Sequence, residues 1–553
     1  MEATLHSGLK IIEGASDKTR KIIFSTPPSS NYSRLSEGLR KNIPTEIQCA
    51  LFCGGNRCKY ELCDYWPKND MAIEGIFSHW VTDEILAMAR PNSDTIHTKN
   101  VIDQFKRLSI QSLINLQQPG EHSKCGPPLE SCGFSYDPEI FMKEGIYFYN
   151  FSMRDYGEAG ESRILDMVKV MSFALNEGKI AIHCHAGLGR TGVLIACYLT
   201  FHLKVSANQA MQFVRSRRPN SIQTRSQIQC CQQFERYILS LCDIFSNKEG
   251  TQEKKSPELT LTSYIKKQQL ILHGNETKHF KYIPKIIFIL GENLLKLANG
   301  NTIQLKYHWL QFTENYLVAE PRLLNMEVIT KLSESELITT PLEGGKGTRV
   351  VEEKGSSTNP ETQAKLHHQV GNMALEEEIP MKSSHSCSQE TMMEAILSDH
   401  SQLIEKDLAL LTKFKARLTH QPFSWNMLIK ESNKVVLTGL LFEWIEHLNK
   451  PLLGKDELSY IVILGHKPLM CLKKFSLELQ YTLEYLLRLV HRMFPKSEEN
   501  QSKFLRRLMA SLTHQAITID GHLAPGGKNF PKLREGTLRK VMEFGMAFMK
   551  LLN

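Results

Sequence analysis

The chain has 553 residues, 41% hydrophobic and 23% charged, with a net charge of +8. That length allows about three to four domains, and the balance excludes collagen-like, wholly disordered and membrane-embedded chains. The basic excess gathers at the C-terminus, where Gln501–Asn553 carries nine basic and three acidic residues, a pattern that most often marks a solvated face.

The first residues, Met1-Glu-Ala-Thr-Leu-His, lack a positive segment followed by an apolar run. No secretory leader is expected, and no apolar stretch is long enough to span a bilayer. The 13 cysteines are accordingly expected as reduced thiols in an intracellular, soluble protein. Residues 1–45 read as a polar, poorly ordered N-terminus. Cys49, Cys53, Cys58 and Cys63 then fall close together. Four such cysteines invite a zinc reading. Their spacings are not paired knuckles, however, and no second half of a site is evident, so packed or surface thiols are expected and no metal is assigned.

From about 76 to 245, inside a first large domain read as 46–245, strands and helices alternate. Ser112–Leu116 is a short buried strand ended by Pro119-Gly120, and Gly145–Phe151 is aromatic and β-prone. Ile164, Val168, Met171 and Leu175 share one face of a helix, with Gly178 at its stop. Lys179–His183 reads as a strand and Thr191–Leu203 as a second helix. This is an α/β fold with a central, mostly parallel sheet flanked by helices. Residues 246–332 read as a helical extension. Residues 333–392, poor in aromatics, read as a disordered linker. Residues 393–553 read as an independent helical C-terminal domain that binds an unknown protein partner.

The chemistry is concentrated in Ile182-His-Cys-His-Ala-Gly-Leu-Gly-Arg-Thr-Gly192. Cys184 and Arg190 stand six positions apart, a weak pattern alone: Cys230 and Arg236 repeat it inside a helical stretch without glycine, a chance match. The first pair has the context the second lacks. A buried strand delivers Cys184, glycines 187, 189 and 192 permit a tight loop, and a helix begins near Arg190. Loop amides and the helix N-terminus make an anion cradle. The Arg190 guanidinium can hold two phosphate oxygens, and the same positive field favours Cys184 as thiolate, the nucleophilic form. Thr191 puts a hydroxyl beside the sulfur, and His183 can bond loop backbone or serve simply as a core histidine.

His183–Gly192 resembles the active-site signature of cysteine-dependent protein tyrosine phosphatases, and Val193-Leu-Ile-Ala-Cys-Tyr198 points to the dual-specificity branch near the cell-division-cycle phosphatases. The resemblance extends through Ile114–His122, Gly145–Phe151 and Arg218–Arg225. It is dense over about 40–300 and faint around Trp444–Pro451. It implies a metal-independent protein phosphatase acting on phosphotyrosine or phosphoserine/threonine. Cys184 would be the nucleophile, Arg190 and the amides of His185, Ala186, Gly187, Leu188 and Gly189 the phosphate cradle, and Asp155 the general acid, preferred over Asp137 and Asp166. It places Gln227 where related enzymes orient water. Phosphoinositide phosphatases usually carry two lysines where this loop has His185, a source of partial positive charge, and Leu188, which argues against a lipid substrate. Cys197 reads as a small core residue. The implied partner is a phosphoprotein, with no nucleic acid, no cofactor and no transmembrane segment. The implied location is cytoplasmic, with a hint of centrosome or cilium. The alternative is a catalytically weak phosphate-binding adaptor acting through its helical C-terminal domain. That domain is also faintly similar to GTPase-activating bundles, without a convincing arginine finger.

Overall fold

The computed structural model describes residues 28–43, 45–153, 160–203, 205–245, 259–274, 276–298, 384–420 and 425–551. One five-stranded sheet organises the first half. Its strands are β1 (Ser78–Trp80), β2 (Ile85–Met88), β3 (Ile110–Asn115), β4 (Tyr147–Asn150) and β5 (Lys179–His183), in the order β1-β2-β5-β3-β4. The β1–β2 pair is antiparallel and every other pairing is parallel, as expected for the α/β class.

The side chains of β2, β3 and β5 divide between two cores, as a strand buried on both faces requires. Ile85, Ala87, Ile114, Ile180 and Ile182 face a cluster shared with α1 (Glu161–Glu177), α2 (Gly189–Leu203), α3 (Ala207–Arg217) and α4 (Arg225–Leu241). Leu86, Met88, Leu113 and Ala181 face the opposite cluster, with Ile96, Phe105, Tyr136 and Phe141. β5 lies at the centre, so its C-terminal end opens between β2 and β3. That is where parallel sheets place ligands.

α1 ends where expected, at Gly178, but for a different reason. The Gly178 backbone is extended, with φ 163°, a conformation open to any residue. A Cβ there would stand 2.3 Å from Gln111 Cγ, so close packing dictates the glycine.

The domain boundaries need correction. Residues 299–383 lie outside the described residues, but α7 (Ser384–Leu397) begins inside the stretch expected as linker. The polar N-terminal stretch contains a helix, Arg34–Asn42, capped by the Ser33 side chain. The segment expected as a separate extension forms α5 (Leu261–Ile271) and α6 (Lys285–Ala298). α6 buries Ile286, Ile287, Phe288, Ile289, Leu290 and Leu294, a wide apolar surface that demands several neighbours. α7, α8 (Lys434–His447) and α9 (Leu477–Met493) supply them, and all four helices share one hydrophobic core. Tyr485 of α9 donates its hydroxyl to Phe288 O at 3.1 Å, and Arg492 pairs with Glu292 at 2.8 Å. Residues 393–551 therefore do not form an independent unit. α10 (Glu498–Thr513) and α11 (Glu535–Lys550) join the same core and are linked by a hairpin of β6 (Ile517–Ile519) and β7 (His522–Ala524). Among the described residues no helix is long and apolar enough to cross a membrane.

Candidate active site

β5 ends at His183 and hands the chain to the loop Cys184–Leu188, after which α2 begins at Gly189. Gly187 makes the turn possible. Its φ is +65°, and a Cβ on it would lie 1.9 Å from Met88 O. Cys184, Arg190 and Thr191 are all buried, at 4%, 2% and 0% exposure. The Thr191 hydroxyl is enclosed and takes no hydrogen bond among the described residues.

Three buried groups set the loop's geometry. The Arg190 guanidinium is forked by the Glu121 carboxylate. Nη1 donates to Glu121 Oε2 at 2.9 Å, to Met153 O at 2.9 Å and to Leu116 O at 3.3 Å, while Nη2 pairs with Glu121 Oε1. Its plane is thereby fixed from three segments. On the far side, Arg218 donates from Nε to Gly187 O at 2.5 Å and from Nη2 to Ala186 O at 2.9 Å. With these carbonyls held outward, the peptide N–H groups of the turn are presented to the other side, as an anion nest requires. Arg218 also donates from Nη1 to His79 Nδ1 at 2.8 Å, and His79 Nε2 donates to Asp70 at 3.0 Å. Burial brings Arg218 down to about 9, opposed by the nearby Cys184.

His183 is the third group. Its Nδ1 lies 3.0 Å from Cys184 O, and a carbonyl only accepts, so Nδ1 carries the proton. Nε2 then accepts from the Tyr136 hydroxyl at 2.6 Å. Complete burial lowers His183 to about 3. It is a neutral core histidine whose two ring nitrogens are both bonded, one of them to the loop carbonyl of Cys184.

Other expected positions fall as follows. Asp155 lies outside the described residues. Its rivals behave as turn and helix residues: Asp137 accepts from Glu139 N at 3.0 Å, and Asp166 is exposed in mid-α1. Gln227 is buried, but its side-chain oxygen accepts from Gln223 N at 2.7 Å, and it closes a capping box with Thr224 at the start of α4. Its Nε2 reaches the loop, 2.6 Å from where a Gly189 Cβ would stand. Cys230 and Arg236 sit within α4, as a chance match should, and Cys197 is wholly buried in α2. His185 needs correction. Its ring is 4% exposed and turned among Cys58, Tyr60 and His122. Burial lowers it to about 3, so its imidazole is neutral and adds no positive charge to the cradle.

Glu121, Arg218, His79 and Tyr136 were not singled out by sequence. Glu121 and Arg218 do fall in segments quoted for the family resemblance. Their roles are invisible to spacing because each partner comes from a distant segment.

Residues 97–237 match the family described as "Dual specificity phosphatase, catalytic domain". That stretch, about a quarter of the chain, holds β3, β4, β5, the phosphate loop and Arg190, and the dual-specificity phosphatase class applies to it. The chain is 50% identical over 279 residues to protein tyrosine phosphatase domain-containing protein 1 of Danio rerio, a match that covers 50% of this chain and 39% of that protein. The Bos taurus protein of the same name is 51% identical over 277 residues, covering 50% of this chain and 34% of that one. More distantly, dual specificity protein phosphatase CDC14B of Mus musculus is 26% identical over 167 residues, covering 29% of this chain and 31% of that one. The chain thus spans less than two fifths of the length of the curated relatives it matches. Among solved structures, Tk-PTP in its active form is 18% identical, with a TM-score of 0.24, covering 29% of this chain and 96% of that one.

Proposed function

We propose that the chain is an active protein phosphatase that works through a cysteinyl-phosphate intermediate. The Cys184 sulfur attacks phosphorus while the bond from phosphorus to the substrate oxygen breaks. The leaving oxygen takes its proton from Asp155. Water then attacks phosphorus, returning a proton to Asp155. The sulfur–phosphorus bond breaks and inorganic phosphate leaves. Arg190 and the loop amides hold the equatorial oxygens through both steps, and the enclosed Thr191 hydroxyl is suited to meet the sulfur as it leaves.

The observation that carries this reading is the double clamp on the loop. Glu121 fixes Arg190 from one side, and Arg218 holds the Ala186 and Gly187 carbonyls from the other. Two buried arginines committed to one turn represent a large investment in an anion cradle, which supports catalysis over a decayed site. Support for Asp155 is positional. Met153, two residues earlier, accepts from Arg190, so the chain bearing Asp155 sets out from beside the cradle. The neutral His185 and the buried Leu188 leave Arg190 as the charged side chain of the loop. This favours singly phosphorylated phosphotyrosine or phosphoserine/threonine side chains over polyanionic headgroups.

The test is phosphate release from aryl phosphates and phosphopeptides. Cys184→Ser is expected to abolish release. Asp155→Ala is expected to cut kcat by about 10²-fold or more while leaving binding intact. Phosphopeptide binding without turnover in the wild-type protein would overturn the reading in favour of an adaptor.

A further inference from the structure

Beside the phosphate loop, two segments distant in sequence bring five metal-capable side chains together, and the loop itself adds a sixth. The first is the helical turn Cys49–Cys53 followed by Gly54, Gly55 and Cys58, with Gly54 left-handed at φ +97°. The second is the turn after β3, which carries His122-Ser-Lys-Cys125. His185 of the phosphate loop meets both. Cys49, Cys58 and Cys125 are fully enclosed, and His122 and His185 are nearly so.

The ligand atoms of Cys53, His122, Cys125 and His185 all lie within 4.8 Å of one another. Cys49 Sγ is 3.2 Å from His122 Nδ1, and Cys58 Sγ is 3.5 Å from His185 Nε2. The two imidazoles stack at 3.9 Å. Packing alone does not account for this. Thiols are weak hydrogen-bond partners, and an apolar core has no use for two enclosed imidazoles set among four sulfurs. The surroundings also have the form of an outer ligand shell. His122 turns Nδ1 to the sulfurs while Nε2 lies 3.5 Å from Glu121 Oε1, the carboxylate–imidazole arrangement that orients metal ligands. The buried Arg90 donates to the carbonyls of Glu121, His122 and Cys125 at 3.1, 3.1 and 2.8 Å, pinning the second turn. It also pairs with Glu61 at 2.5 Å.

We propose that Cys53, Cys125, His122 and His185 bind one zinc ion, with Cys49 and Cys58 packed against its imidazole ligands. Two sulfurs and two nitrogens suit zinc in a closed tetrahedron. Bond lengths of about 2.0–2.3 Å set tetrahedral ligand atoms about 3.3–3.8 Å apart, so a cluster whose atoms lie within 4.8 Å of one another closes on the ion by at most about 1–1.5 Å. The ion is structural. It ties the phosphate loop, through His185, to the turn whose Glu121 holds Arg190. Of the four cysteines expected as packed thiols, Cys53 thus finds partners about seventy residues away, at His122 and Cys125. His122-x2-Cys125 is the knuckle-like spacing that would have signalled it. The Cys63 side chain lies outside those described.

The experiment is metal analysis of the full chain, purified reduced and without chelators. About one zinc per chain is expected, and cobalt exchange should give a thiolate-to-metal charge-transfer band. The paired variant Cys53→Ser and Cys125→Ser should lose the metal, whereas Cys132→Ser, at an exposed thiol, should keep it. Wild-type protein without stoichiometric metal, or with a disulfide among these cysteines, would overturn the proposal, and that result stands even if the paired variant fails to fold. None of these readouts requires turnover, so an inactive chain holding zinc would sink the phosphatase reading alone.

Discussion

His183 shows how one enclosed side chain sets a limit on the conditions the domain tolerates. Burial lowers it to about 3, opposed by its bond to Cys184 O and reinforced by the charges of Arg90 and Arg190. Unfolded, the same histidine titrates near its ordinary value of about 6.5. Between those two values the unfolded chain binds the extra proton, so stability falls as pH drops through that window and is fully present above it. From pH 7.5 to 5 the loss from this group is about 2 kcal/mol, at roughly 1.4 kcal/mol per unit below 6.5. Urea unfolding of wild type and His183→Gln at both pH values should show that difference in slope, and parallel slopes would refute it. The residue-scale site was only half legible. Cys184 and Arg190 lie within one local turn, which spacing can reveal. Glu121 and Arg218 act on the same turn from 69 and 31 positions away, and nothing in their own neighbourhoods marks them.

The strand–loop–helix element from β5 to α2 tolerates change unequally along its length. At Gly187 both the left-handed backbone and Met88 O exclude a side chain. At Gly189 the obstacle is Gln227 Nε2, the end of a side chain that can move. Gly187→Ala is therefore expected to cost more than about 2 kcal/mol and to remove activity. Gly189→Ala should cost about 1 kcal/mol or less and keep measurable turnover. Thermal unfolding and initial rates of the two variants should separate them, and equal effects would count against the turn as drawn. Elements with a clear period were legible: α1 from its apolar stripe, β5 from its alternation. β1 and β2 were missed, being three and four residues long and stabilised by pairing that no short window shows. The β6–β7 hairpin did carry a signal. Asp520-Gly521, both at positive φ, is a dipeptide typical of tight hairpins, overlooked inside a region read as all helix.

At the scale of the molecule, the helical half is assembled from two stretches of chain with α6 at their common centre. An engineered protease site within 299–383 is expected to leave two pieces that co-elute on gel filtration in buffer and separate only in denaturant. Separation in buffer would mean that the shared core is not what holds them. Leu290→Ala, at full burial in α6, should cost about 2–5 kcal/mol. Composition misled here. Scarce aromatics around 333–392 suggested a second boundary between domains, although the helices on either side of that stretch share one core; the break expected after 245 is the one that separates the two hydrophobic clusters.

That arrangement has a consequence for synthesis on the ribosome. The sheet-bearing half can close as soon as α4 has emerged, but α6 then waits, its broad greasy face bare, while more than eighty further residues are made before α7 arrives. At about 5–20 residues per second the wait is roughly 5–20 seconds. Over that interval the nascent chain presents a sticky helix to every chaperone and neighbouring chain within reach.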